Sequence, residues 1–313
     1  MIAALFKAVA QLVLLLLLAP LVTGIIRLGK ARLQMRRGAG PLQPYRDIYK
    51  LMRKGMVVPD TASWLFSATP YVVFAATLTA GLMVPMIAAD TPVGLFGGVL
   101  AVVYLLGLAR FFLALAGLDA GTPFGGMGSS REMTIAALAE PTLMLAVFTV
   151  AIGAGSTALS EMARAAISQQ WRFLMPSEVL AFAALFLVLI AETGRIPVDN
   201  PATHLELTMI HEAMILEYSG PYLALIEWAA SIKQLLLMTL LINVFWPFGL
   251  EPVWSPLGLP LGLFWLLLKL LILSGCIVLV ETANAKMRLF RVPELMAVAF
   301  TLGALALIST FLF

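Results

Sequence analysis

The chain has 313 residues, 61% of them hydrophobic and 12% charged, with a formal net charge of +3 and a mean hydropathy of +0.99. That balance excludes a soluble fold carried on a single anchor and reads as one integral membrane domain over residues 1–313. The excess of bases sits beside apolar segments, with no soluble domain to present it to nucleic acid, and the lone cysteine, Cys276, excludes an intrachain disulfide, a Cys-based zinc site and an iron–sulfur cluster.

Hydropathy predicts an all-α, polytopic membrane protein of eight transmembrane helices, near 2–26, 66–89, 93–116, 132–155, 176–192, 221–246, 259–281 and 293–312. The first apolar run has only Lys7 ahead of it and no small-residue cleavage site behind it, so it reads as a retained helix rather than a secretory signal. The segment that follows carries nine bases, Arg27 through Lys54, against Asp47 and Asp60. By the positive-inside rule it is cytoplasmic, which places both termini on the outer side, with Arg164 and Arg172 as exceptions. Gly38, Gly40, Pro41 and Pro44 turn the chain ahead of an amphipathic helix over 45–54, whose bases meet either anionic lipid or a docking partner.

The next cytoplasmic segment, 117–131, holds five glycines and reads as a loop packed closely on a partner. No Gly-Lys-Ser/Thr follows, which argues against a nucleotide cradle. Ser129 or Ser130 is the expected N-cap of the following helix, with Glu132 in its first turn. The segment from Glu192 to Gly220 then crowds Glu192, Asp199, Glu206, Glu212, Glu217, His204 and His211 around one base, Arg195. His211-Glu212 lacks a second histidine at the zinc-protease spacing, since Ile215 stands there, and no metal site is expected. If helical, Glu206 and Glu217 share a face at about 16 Å, too far for direct proton transfer. Within the helices, Arg110, Glu140, Glu227, Lys233 and Lys269 each cost about 2.5–3.5 kcal/mol at a helix centre, so groups of both signs point to static pairing or to a hydrated ion path.

These residues resemble the membrane subunit shared by respiratory complex I, where it is subunit 1 or H, and by energy-converting nickel–iron hydrogenases, over essentially the whole chain. QPYRDIYK at 43–50 is similar to that family's Gln-Pro-x-x-Asp-x-x-Lys motif. Arg131 and Glu140 keep its nine-residue interval, ETGRIPVD at 192–199 is similar to its Glu-Thr-Asn-Arg-x-Pro-Phe-Asp signature, and LEYSG at 216–220 to its Glu-Tyr-Ser-Gly end. GLDAGTPFGGMGSSRE at 117–132 looks more like hydrogenase-4 component C and formate hydrogenlyase subunits than like quinone-reducing enzymes. Ala202 and His204 stand where complex I members carry glutamates, which weighs against a quinone site.

The resemblance implies a subunit of the cell inner membrane with no cofactor of its own. It would anchor hydrogenase-like large and small subunits and iron–sulfur proteins, which carry the nickel–iron centre and the clusters, and would open an ion path toward antiporter-like subunits. Carried over, Glu140, Glu192, Asp199, Glu206 and Glu217 form the acidic path, with Glu212, Glu227, Lys233 and Lys269 as further embedded members. Arg36, Arg37, Arg46, Asp47, Lys50, Arg131 and Arg195 dock the arm or stabilise loops. The competing expectations are a quinone-site subunit of a complex I-like oxidoreductase, an autonomous proton or cation transporter, and a purely structural anchor.

Overall fold

The computed structural model describes residues 2–91, 98–168, 175–200, 209–254 and 258–312. Among them, seven helices are long and apolar enough to cross a membrane: α1 (Ile2–Leu33), α3 (Trp64–Met83), α4 (Val99–Asp119), α5 (Pro123–Ala154), α9 (Gly220–Phe245), α10 (Gly258–Ala283) and α11 (Val292–Leu312). The remaining expected span is α7 (Pro176–Glu192), whose 17 residues give about 25 Å, the short end of a crossing. It packs against α5, α9 and α11, which shield its apolar surface. Among the described residues the shorter α-helices are α2 (Gln43–Met52), α6 (Leu159–Ser168) and α8 (His211–Met214).

The helix expected over 66–89 stops at Met83, because Pro85 forces Val84 into extended backbone. The start of the helix expected at 93 lies outside the described residues, and α4 runs on to Asp119. The amphipathic helix forms as α2, with Pro44 in its first turn; Pro44 and Ile48 face inward, while Arg46, Tyr49 and Lys50 face out. Tyr45 Oη donates to the Leu17 carbonyl, fastening α2 along α1. Helix α6, which hydropathy does not reveal, buries Leu159, Met162 and Ala163 and leaves the Glu161–Arg164 pair exposed at 2.8 Å. Arg172 lies outside the described residues.

The glycine-rich segment is a correction. It is not a loop: α4 and α5 are joined by only Ala120–Thr122, and Thr122, not Ser129 or Ser130, is the N-cap, accepting from Gly125 N at 3.3 Å. Ser129 lies inside α5 and donates to Ala114 O at 2.8 Å. Its glycines serve close packing within this chain: a Cβ on Gly125 would lie 2.2 Å from Gly117 O, and one on Gly128 would lie 2.9 Å from Ala213 Cβ on α8.

One end of the bundle gathers the basic segment, the α4–α5 turn, the end of α7, α8 and the α10–α11 turn. Val57 N donates to Ser219 Oγ at 2.9 Å, Ser63 N to Asp119 at 2.8 Å and Met287 N to Pro197 O at 2.9 Å. Tyr218 stacks on Phe66 at 4.0 Å and donates to its carbonyl. At the opposite end Lys7 pairs with Asp90, and Ala89 N donates to Glu251 O at 2.8 Å.

Replacing Gly125 with Ala is expected to destabilise the α4–α5 contact by about 1–3 kcal/mol, through overpacking against backbone that cannot yield. Gly126→Ala meets nothing closer than Leu118 Cδ2 at 3.9 Å and should leave stability unchanged or slightly raised. Thermal unfolding in detergent separates the two variants.

Candidate functional site

Glu132 and Glu140 are eight residues apart on α5, just over two turns, so both lie on one face about 12 Å apart. Arg110 of α4 fills the gap between them and reaches a third acid, Glu192, the last residue of α7. Its Nε lies 3.3 Å from Glu132 Oε1, its Nη1 donates to Glu140, and its Nη2 contacts both Glu192 oxygens at 2.5 Å. Lys233 of α9 completes Glu192 at 2.8 Å, and His211 of α8 brings Nδ1 to 2.8 Å from Glu132 Oε2. The Arg110, Glu132 and Glu192 side chains are each 5% exposed, whereas that of Glu140 is 44% exposed on the flank of the bundle.

A second cluster lies beside the first. Arg195 donates to Glu281 at 3.0 Å and to Gln234 at 2.8 Å, while Lys30 of α1 reaches the other Glu281 oxygen at 3.1 Å. Asp199 pairs with Lys286 at 3.2 Å and accepts from Ile210 N at 3.1 Å, which fixes the start of α8. Arg131 supports the same point through Met209 O at 3.0 Å. Gly194 has φ +57, and a Cβ there would meet His211 Cδ2 at 2.4 Å, so this left-handed turn and the imidazole fit only around glycine.

The structure thus joins Glu140, Glu192 and Lys233 in one network and places Asp199 in the adjoining one. Glu227 is half-buried on α9, in the field of Arg27, Asp47 and Glu212. Lys269 is set apart: buried on α10, it bonds Asn243 Oδ1 at 2.8 Å and Trp246 O at 3.3 Å. The helical face expected to join Glu206 and Glu217 is corrected in part: Glu217 follows the four-residue α8 in a turn, while Glu206 and His204 lie outside the described residues. Arg195 and Arg131 brace the loop from within, whereas Arg36, Arg37, Arg46 and Lys50 are exposed. Arg110, Glu132 and His211 are absent from the site expected from sequence. Arg110 is visible there as an embedded charge, but Glu132 is hidden by its assignment to a helix start and His211 by its place in a failed metal motif. Among the described residues no group of three or more His, Cys, Asp or Glu is placed to hold a metal.

Burial opposes charge on His211, but Glu132 beside it outweighs that penalty and raises its pKa above the ordinary histidine value. Its stabilising attraction is therefore complete below that ordinary value and is lost as pH rises through the raised one. Melting temperature should fall across this window in the native chain and fall less in Glu132→Gln. Arg110→Met, which leaves three carboxylates around an apolar side chain, should cost about 3–5 kcal/mol. Arg110→Lys should rescue little, because an ammonium cannot span three acids.

Several known proteins are similar to this chain. Formate hydrogenlyase subunit 4 of Escherichia coli (strain K12) is 36% identical over 299 residues, covering 96% of both chains. Hydrogenase-4 component C of the same strain is 37% identical over 299 residues, covering 96% of this chain and 93% of that one. A subunit of the NADH-quinone oxidoreductase of Rickettsia typhi (strain ATCC VR-144 / Wilmington) is 26% identical, covering 90% of this chain and 85% of that one. A chain of the membrane-bound sulfane sulfur reductase, an archaeal respiratory membrane complex, superposes with a TM-score of 0.86 at 20% identity, over 98% of this chain and 99% of that one, and so has the same fold. The NADH dehydrogenase family matches residues 6–312, and this multi-pass membrane protein belongs to it.

Proposed function

We propose that this chain is the membrane-anchor and proton-pathway subunit of a redox-driven ion pump of the hydrogenase-4 or formate hydrogenlyase kind. The reading rests on one observation: a buried network of both signs, centred on Arg110, ends in Glu140 on the flank of the bundle. A 44% exposed carboxylate on a membrane-crossing helix suits a neighbouring protein surface or a hydrated contact better than lipid. Electron transfer in a peripheral arm would shift the acidic segment, alter the proton affinity of Glu192, Asp199 and their neighbours, and drive ions through Glu140 toward antiporter-like subunits. Glu206, Glu212, Glu217, Glu227, Lys233 and Lys269 are further candidates for that path.

The partners proposed are hydrogenase-like large and small subunits and iron–sulfur proteins, which would hold the nickel–iron centre and the clusters. Their docking surface would be the exposed face of α2 and the segment before it, Arg36, Arg37, Arg46 and Lys50, with Asp47 bonded to Gln43 at 2.8 Å and steadying the first turns. That face would lie in the cytoplasm, with both termini on the outer side of the cell inner membrane and the whole chain acting as one domain.

Glu140→Gln should assemble normally yet lower ion transport per electron about tenfold or more, within the scale of a lost proton-transfer group. Transport measured in vesicles holding the complete complex tests this, and an unchanged ion-to-electron ratio would contradict it.

A further inference from the structure

Glu132, Glu140 and Glu192 face two cations of fixed charge, Arg110 and Lys233, so the central network is one positive charge short. The group that meets this deficit is His211, whose Nδ1 lies 2.8 Å from the Glu132 oxygen turned away from Arg110. Exposure grades inward along this pair: the His211 side chain is 27% exposed at the basic end of the bundle, and that of Glu132 behind it is 5% exposed. The network therefore touches solvent at His211, passes through buried groups and reaches the flank at Glu140.

We propose that the His211–Glu132 pair is the proton-loading site of the embedded network, exchanging one proton with solvent at the basic end of the bundle. This deepens the pump reading and rests on it. The 2.8 Å pair is not aligned as a hydrogen bond at rest, so the ring first turns Nδ1–H onto Glu132 Oε2; that N–H bond then breaks as an O–H bond forms on the carboxylate. This leaves neutral imidazole and a carboxylic acid, and water then returns a proton to the ring. Arg110 keeps its protons throughout and holds the acids in place.

The charged groups around the ring fit this role. Glu132 faces it from α5 and Asp199 from the segment after α7, both favouring the imidazolium, while Lys233 from α9 opposes it. Glu212 adjoins it on α8, and Arg110 of α4 stands behind Glu132. Gly194 touches the ring, and Asp199 and Arg131 hold the two residues before it through Ile210 N and Met209 O. Any change in the 194–199 turn therefore changes the distance between His211 and Glu132.

The test is ion transport by the complete complex in vesicles, followed across the neutral pH range for His211→Lys, His211→Gln and Glu140→Gln. His211→Lys keeps a cation beside Glu132 that cannot release its proton in this range. It should assemble, lose transport about tenfold or more, and show a flat pH profile. His211→Gln should lose transport likewise. Transport by His211→Lys at the native level would overturn the proposal, because a fixed cation would then suffice. A second measurement stands apart from the folding of the lysine variant: in Glu132→Gln the alkaline limb of residual transport should move toward acid, because the carboxylate that favours the imidazolium is gone. An unmoved limb would overturn the proposal. Loss of transport in Glu140→Gln with native behaviour in both His211 variants would reject the loading site alone, whereas native transport in Glu140→Gln would reject the pump reading itself.

Discussion

The guanidinium of Arg110 is the contact on which the rest of this bundle depends. It sits among apolar helices with three carboxylates around it, brought from positions as far as 82 residues along the chain. Each of these ions alone would cost several kcal/mol to hold away from water, and only their mutual contact offsets that cost. The arrangement therefore dictates packing: α4 must lie within reach of both α5 and the end of α7, and α9 must turn Lys233 toward Glu192. The same contacts that fix the helices also gather ionisable groups, so the proposed ion path and the packing of the bundle would share one set of side chains.

Small residues make that gathering feasible at the basic end. Where Gly117 meets Gly125, the backbones of α4 and α5 touch, and Gly128 lets α8 approach α5. This close approach brings α8 near enough for His211 to reach Glu132. The acidic segment is consequently folded into the bundle, with Arg195 and Asp199 buried and tied to α10 and the turn beyond it. Its conformation and the charge state of the central network cannot vary independently, which is what the proposed coupling to ion movement requires.

Much of the fold is legible because the bilayer imposes long apolar runs, and each predicted span corresponds to a helix in the described residues. The amphipathic α2 is equally clear, since Pro44 marks its start and its bases fall on one face. The 117–131 segment misleads because glycine signals a turn in soluble chains, whereas within a membrane bundle it permits helix contact without ending the helix. Embedded charges of both signs announce pairing, but not the partners. Nothing in the local pattern links Arg110 to Glu192, and Glu132 reads as a helix-start acid because Ser129 and Ser130 precede it, whereas the helix starts nine residues earlier, at Pro123. His211 stands beside a glutamate in a metal-motif fragment, while its partner is a carboxylate on another helix.

In the proposed pump, redox chemistry in a bound arm alters protonation among these buried carboxylates. The most direct measurement is the redox-induced infrared difference spectrum of the complete complex, compared between native protein and a variant with Glu132 and Glu192 replaced by glutamine. The expected result is a carboxyl band that changes on reduction and is lost or diminished in the variant. A native spectrum with no carboxyl change, or one the replacements leave untouched, would contradict the claim.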